Sequence, residues 1–202
     1  MKKLAKLLII FGILAALFVL WRSVYYAPND ALADEVDSGL AAAVNLGESV
    51  DPEALPTKLL IPRLNIDSDV QRLGITRTSN MAAPDNFTDV SWYKFGTVPG
   101  FNGSAVMAGH EDNAISLDGV FKHLEDLEIG DDVYVVREDG QRLRFKVVDK
   151  KVLPYNLSGT ELEKIFNAKD KARLNLITCA GDWLKEAKTN DQRLVIYTEL
   201  VN

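Results

Sequence analysis

The chain of 202 residues has one cysteine, Cys179, and two histidines, His110 and His123. A single thiol allows no intrachain disulfide and no multi-thiol metal site, and two imidazoles are too few for a histidine-rich metal cluster. Positive charge is also short outside the amino terminus. Residues 1–26 hold Lys2, Lys3, Lys6 and Arg22 with no acid, which leaves nineteen basic against twenty-nine acidic residues in the remainder. So acidic a remainder lacks the cations that neutralise phosphates and supply most nucleic-acid affinity. From Ala27 to Pro56 there is no basic and no aromatic side chain, only seven acids among small and apolar residues. Such a stretch cannot bury much surface and reads as a spacer. No internal repeat is visible.

The one long hydrophobic run is Leu7–Trp21, behind Lys2, Lys3 and Lys6 and continued past Arg22 by Val24, Tyr25 and Tyr26. Basic residues on the short leading side predict a cytoplasmic start and an exported remainder. The run is somewhat short for a full span unless Arg22 snorkels and the aromatics sit at the interface. It also lies at the upper limit of a signal-peptide core, but the small-x-small site Ala31-Leu32-Ala33 is about ten residues beyond it, too far for usual processing. The sequence therefore divides into a cytoplasmic tail (1–6), a transmembrane anchor (7–26), an acidic spacer (27–54) and a globular domain (55–202).

With 47% hydrophobic residues the chain can fill one sizeable core. Leu60, Pro62, Leu64, Ile66, Ser68 and Val70 share one parity, against Ile61, Arg63, Asn65, Asp67 and Asp69. That alternation predicts a strand or strand pair, with Pro62 at an edge or early position. Asn80–Asn102 reads as a long ordered loop anchored by Trp92, Tyr93 and Phe95. Ser104–Gly109 is a small-residue strand leading to His110. Leu117, Val120, Phe121, Leu124 and Leu127 fit one face of a short helix. Asp132–Val136 and Arg142–Val148 flank Glu138-Asp139-Gly140 as a hairpin, with Leu143, Phe145 and Val147 facing one way. Thr160 and Glu163 suggest a capping box for a helix whose apolar side is Leu162, Ile165 and Phe166. Leu174–Ile177 forms a strand that opens into a turn at Cys179, and a polar loop, Asp182–Asp191, precedes a last strand from Arg193 to Leu200. At least six short strands, two short helices and no helix–strand alternation predict a mainly β domain, a mostly antiparallel closed or nearly closed barrel.

A free cysteine is commonly a small buried hydrophobe. An exported thiol is an oxidation liability, more readily tolerated if it is used, and the strand-end position and Gly181 favour access to it. A thiol nucleophile needs a base or ion-pair partner near neutral pH, for which histidine is usual, and the acyl transition state needs donors or positive charge near its oxygen. His110, at the end of a strand, is the eligible histidine; His123 reads as a partly solvated residue at the edge of the helix stripe. Arg193, on the last strand, is the candidate oxyanion partner, or a surface arginine paired with an acid. The order His110, Cys179, Arg193 sets the chain apart from papain-like hydrolases, in which the cysteine comes first. Thr178-Cys179-Ala180-Gly181 also differs from the Ser-x-Gly-Cys context of L,D-transpeptidases.

The chain resembles a sortase, a membrane-anchored cysteine transpeptidase, from about Leu55 to its end. The matching pieces are Ala108-Gly109-His110, Leu176-Ile177-Thr178-Cys179 and Gln192-Arg193-Leu194-Val195-Ile196-Tyr197, with Leu60-Ile61-Pro62-x-Leu64-x-Ile66 similar to the opening strands. Pro84-Asp85-Asn86, Trp92-Tyr93 and Pro99-Gly100 look most like class E or F. Asn175 departs from the family's Thr-Leu-x-Thr-Cys, with only Thr178 expected to point toward the site. The Asp182–Asp191 loop is this chain's own.

The resemblance implies an eight-stranded β-barrel and a two-step acyl transfer on a Leu-Pro-x-Thr-Gly-like sorting signal of secreted proteins. In it Cys179 attacks the Thr–Gly carbonyl and His110 exchanges the proton with the leaving and incoming amines. Arg193 holds the substrate carbonyls and oxyanion, and Thr178 contributes to the substrate groove. A peptidoglycan-precursor amine resolves the intermediate; no cofactor is needed, and no acidic cluster is singled out for calcium. The implied location is the cell membrane with the catalytic domain outside. Two other readings are a catalytically silent membrane-tethered β-barrel that binds or assembles, with the thiol buried, and a hydrolase that does not transfer.

Overall fold

The computed structural model describes residues 2–25, 54–112 and 118–201, with side chains described from residue 8 to 22 and from 54 onward. The spacer expected over 27–54 therefore lies almost wholly outside the described residues, as does Leu117. The first helix, α1 (Lys2–Tyr25), exposes every described side chain from Leu8 to Arg22. Those fifteen residues rise about 22 Å, against about 30 Å of bilayer hydrocarbon. Among the described residues no helix is long and apolar enough to cross a membrane, so the fold does not establish the span expected over 7–26.

Eight strands close a barrel: β1 (Pro56–Ile61), β2 (Ile66–Leu73), β3 (Val90–Tyr93), β4 (Gly103–Ala108), β5 (Asp132–Arg137), β6 (Arg142–Pro154), β7 (Ala172–Leu184) and β8 (Thr189–Val201). Around the barrel the order is β1-β2-β3-β4-β7-β8-β6-β5, returning to β1. Pairing is antiparallel except for β2 with β3 and β4 with β7. Alternation through Leu60–Val70 gives two strands, with Pro62 opening a 3₁₀ turn between them and Asn65 in the left-handed region (φ 54°). Proline suits that first position, where its missing N–H costs no bond.

Alternate residues of each strand face inward, and the inward rows fill the core. Leu59, Ile61, Val90, Trp92, Ala105, Met107, Val133, Val135, Phe145, Val147, Leu174, Leu176, Leu194 and Ile196 pack there with Phe121, Leu124 and Leu127. The helix expected around Leu117–Leu127 is instead a run of turns with a 3₁₀ segment at Leu124–Asp126, bonded Leu124 N–H to Phe121 O and Leu127 N–H to Leu124 O. The reason lies in the spacing of the buried residues: Phe121, Leu124 and Leu127 recur every third position, which aligns on a three-residue turn.

A second apolar layer lies outside the barrel wall. Val106, Val195 and Tyr197 pack there with Ile165 and Phe166 of α2 (Thr160–Phe166), and Tyr93, Leu153 and Ile177 join them. Asn175 Nδ2 donates to Ile165 O at 2.7 Å and Ser104 Oγ to Lys164 O at 3.4 Å, tying α2 to the sheet. The capping box does not form: Gly159 is the N-cap and Thr160 is already helical. The long loop expected over Asn80–Asn102 contains β3, whose Trp92 is buried and whose Tyr93 meets Phe95 and Phe166 edge-on. The polar loop expected over Asp182–Asp191 is a hairpin in which Trp183 pairs with Asn190 and Leu184 with Thr189.

Phe145 is fully buried at the centre of the inner cluster. Phe145→Ala is expected to cost about 3–5 kcal/mol, much of the stability of a typical domain, and urea unfolding followed by tryptophan fluorescence reads the loss.

Candidate active site

The ladder register brings the three predicted residues into one row. In the parallel β4–β7 pair Ala108 lies opposite Ile177, and in the antiparallel β7–β8 pair Cys179 lies opposite Arg193. His110 is two residues beyond Ala108 and Cys179 two beyond Ile177. A strand repeats its facing every two residues, so Cys179 and Arg193 share a face of adjacent strands. His110, two residues past the end of β4, falls on that face if the alternation is carried on through the Gly109 N–H bond to Ile177 O. That face is the outer one, the side of Ile177 and Val195, not the packed interior.

Two local devices hold the row. Thr178 lies on the opposite, inward parity, buried, and its Oγ1 donates to the Gly109 carbonyl at 2.9 Å. The residue before the thiol is thereby bonded to the residue before the imidazole. Gly109 N–H donates to Ile177 O at 3.2 Å, extending the ladder one step toward His110. Beyond Cys179 the strand does not end, as expected from the sequence, but shifts register between Ala180 and Trp183. Gly181 sits in this irregularity at φ 77°, and a Cβ there would run into Asp191 Oδ1. Bulges of this kind bend a strand and re-aim its side chains beside functional sites.

His110 is gripped from above and behind. Its Nε2 is 3.0 Å from the Pro84 carbonyl oxygen, and its ring lies 4.8 Å from that of Phe87. A carbonyl oxygen only accepts, so the neutral imidazole carries its proton on Nε2 and leaves Nδ1 basic. Phe121 N–H donates to His110 O at 2.9 Å. Gly119 packs so closely that a Cβ there would strike the same His110 carbonyl.

Arg193 is anchored by its own strand: Nη1 donates to Asn190 O (3.0 Å) and Gln192 O (2.7 Å), and Nη2 to Thr189 Oγ1 (2.6 Å). Burial pushes the Cys179 thiol above its ordinary value of 9.0; the Arg193 charge opposes this, while Glu111 and Asp112 add to it. Burial likewise pushes His110 below its ordinary 6.5, against the Pro84 hydrogen bond and the charge of Asp112. Near neutral pH the resting pair is therefore a thiol and a neutral imidazole. Among the described residues no cluster of His, Cys, Asp and Glu is arranged to hold a metal ion.

His123 stands apart, exposed, with Nδ1 3.6 Å from Asp126 Oδ2. Sequence reasoning did not find Pro84 and Phe87 as the cradle of His110 or Gly119 as its backbone neighbour. The Pro-Asp-Asn cluster at 84–86 was a turn signal that could have pointed there. Carbonyl acceptance and close backbone approach leave no mark of residue type.

Alkylation by iodoacetamide followed against pH is expected to show thiolate titrating above 9.0 in the native protein. Removing the guanidinium by Arg193→Gln takes away a charge that favours thiolate, so the midpoint is expected to rise further. A fall in the midpoint would contradict the assigned electrostatics.

The family model for the sortase domain matches residues 59–201. No curated protein matches the chain. Among solved structures the chain is similar to sortase C-1 from Actinomyces oris, at 21% identity over 81% of this chain and 80% of that one, with a TM-score of 0.56. It is similar to sortase A from Listeria monocytogenes at 22% identity, covering 74% and 88%, with a TM-score of 0.53. Sortase C1 from Streptococcus agalactiae is similar at 18% identity, covering 82% and 77%, with a TM-score of 0.57. These structural likenesses carry the barrel, and the family model covers well over half the sequence, including all three residues of the row: the chain belongs to the sortase family, the cysteine transpeptidases.

Proposed function

We propose that the chain cleaves a Leu-Pro-x-Thr-Gly-like sorting signal between Thr and Gly and joins the protein to an amine of a cell-wall precursor. The observation that carries this reading is the single row of His110, Cys179 and Arg193 across β4, β7 and β8. The Cys179 thiol first gives its proton to His110 Nδ1, and the resulting thiolate adds to the threonine carbonyl carbon. His110, as imidazolium, gives its Nδ1 proton to the departing glycine nitrogen while its Nε2–H stays on Pro84 O. A thioacyl enzyme and a free glycine amine result. The incoming amine adds to the thioester, His110 Nδ1 takes its proton, and the thiolate leaves.

Arg193 serves the oxygen on which charge develops. Its bonds to Asn190, Gln192 and Thr189 use three of the five N–H groups of a guanidinium, so two remain for substrate. Thr178 serves through position, setting the wall between thiol and imidazole by its bond to Gly109. The motifs Pro84-Asp85-Asn86, Trp92-Tyr93 and Pro99-Gly100 support a class E or F subtype.

For the amino terminus the same proposal places α1 in the cell membrane with the barrel outside. Lys2, Lys3 and Lys6 lie in the first turns of a helix whose described surface is apolar from Leu8 to Trp21, with Leu8, Phe11, Leu14 and Phe18 each more than half exposed. An apolar surface of that extent is unfavourable in water and favourable in lipid. Amino-terminal sequencing of the membrane fraction is expected to read from the first residues of the chain. A start near Asp34 would indicate a cleaved signal peptide.

Cys179→Ala is expected to lower turnover of a Leu-Pro-x-Thr-Gly peptide by about a thousandfold or more while the far-ultraviolet circular dichroism is unchanged. Full residual activity would refute the reading. Arg193→Gln is expected to cost about a hundredfold in kcat. With His110 lowered and Cys179 raised, kcat/KM against pH should form a broad bell, its acid limb below 6.5 and its basic limb above 9.0. Added amine appears in the product of a transferase and is absent from that of a hydrolase.

A further inference from the structure

The cradle of His110 is a loop, Pro84–Asp89, and a loop holds a ring still only if something holds the loop. Bonds to the loop's main chain come from Val120 N–H to Phe87 O at 2.8 Å and Ser68 Oγ to Thr88 O at 2.9 Å, and Ser91 Oγ donates to Ala82 O at 2.8 Å just before the loop begins. The side chain that binds the loop's carboxylates is Gln71 of β2, whose register partner in β3 is Ser91. Gln71 Oε1 accepts the Asp85 N–H at 3.2 Å. Its Nε2 donates to Asp85 Oδ1 at 2.5 Å and to Asp89 Oδ2 at 2.9 Å. Asn86, between them, donates from Nδ2 to Asp89 Oδ2 at 2.7 Å and caps the turn by accepting the N–H groups of Thr88 and Asp89.

This arrangement asks for one residue type. A primary amide has two N–H hydrogens and an oxygen, and here the hydrogens meet two carboxylates and the oxygen meets a backbone donor. Glutamate would offer acceptors to acceptors, and lysine would keep the donors and lose the acceptor. Asparagine is a methylene too short. Such specificity is more than a surface loop between two strands needs. What the loop contributes beyond its own fold is the Pro84 oxygen on Nε2 and the Phe87 ring against the imidazole.

We infer that Gln71 is a positioning residue for His110, acting through the Pro84–Asp89 loop to fix the imidazole's tautomer and place it beside Cys179. The inference rests on the sortase reading only for the catalytic importance of His110; the placement of the ring can be read without activity.

The test compares Gln71→Glu and Gln71→Lys in the full chain. Glutamate keeps the shape but sets a third carboxylate against Asp85 and Asp89, whereas lysine keeps a donor to both. With ¹⁵N-histidine labelling, only His110 and His123 give signals. The wild type is expected to show a slowly exchanging His110 Nε2–H; Gln71→Glu loses it to solvent exchange, and Gln71→Lys retains it in part. In peptide turnover Gln71→Glu lowers kcat by about tenfold or more with KM within about twofold, as misplacement of a reacting group does, and Gln71→Lys recovers part of the loss.

An Nε2–H signal and a kcat in Gln71→Glu both within about twofold of wild type would overturn the inference. So would equal losses in both variants that track the unfolded fraction seen by circular dichroism, because a merely structural role predicts that. Should the wild type turn over no sorting peptide, the proposed function fails, while the histidine signals still judge Gln71.

Discussion

Everything at the site depends on the parallel pairing of β4 with β7. Six consecutive register pairs, from Gly103 with Ala172 to Ala108 with Ile177, fix how far each strand extends at the end where His110 and Cys179 sit. A slip of one residue would turn the thiol or the imidazole to the opposite face. The inward rows resist that slip, because Ala105 and Met107 on one strand and Leu174 and Leu176 on the other are fully buried in the same core. The Thr178 bond to Gly109 adds a check at the last step. Packing of ordinary hydrophobic residues thus determines the geometry of polar ones.

The burial that orders the site also tunes it. A half-covered thiol and imidazole both favour their neutral forms, so Cys179 and His110 rest uncharged and not as an ion pair. Arg193 works against this for the thiolate and is itself held by the hairpin that follows Gly181.

Much of this was legible in the residues, and the limits have physical causes. Alternation marked β1, β2, β5, β6 and β8 because one face of each is buried and the other wet. Cys179 and His110 stood out as candidates because few other groups in the sequence could do the chemistry. The burial of Thr178 and its bond to the Gly109 carbonyl were not legible, since both depend on where β4 lies beside β7. The helix around Phe121 was misjudged because spacings of three fit a 3₁₀ turn as well as a helix. The register of β4 on β7 and the grip of Pro84 on His110 were not legible at all, since pairing partners and carbonyl acceptors are set by tertiary structure. Gln71 looked like any polar strand residue.

The Thr178–Gly109 contact spans 69 residues of chain. Contacts so distant in sequence carry a high loop-closure cost and form late, when most of a β-barrel is already in place. A partly made chain, or one still unfolded, therefore has a thiol but no imidazole beside it and no guanidinium opposite. The meeting of these three groups is thus coupled to completion of the barrel itself.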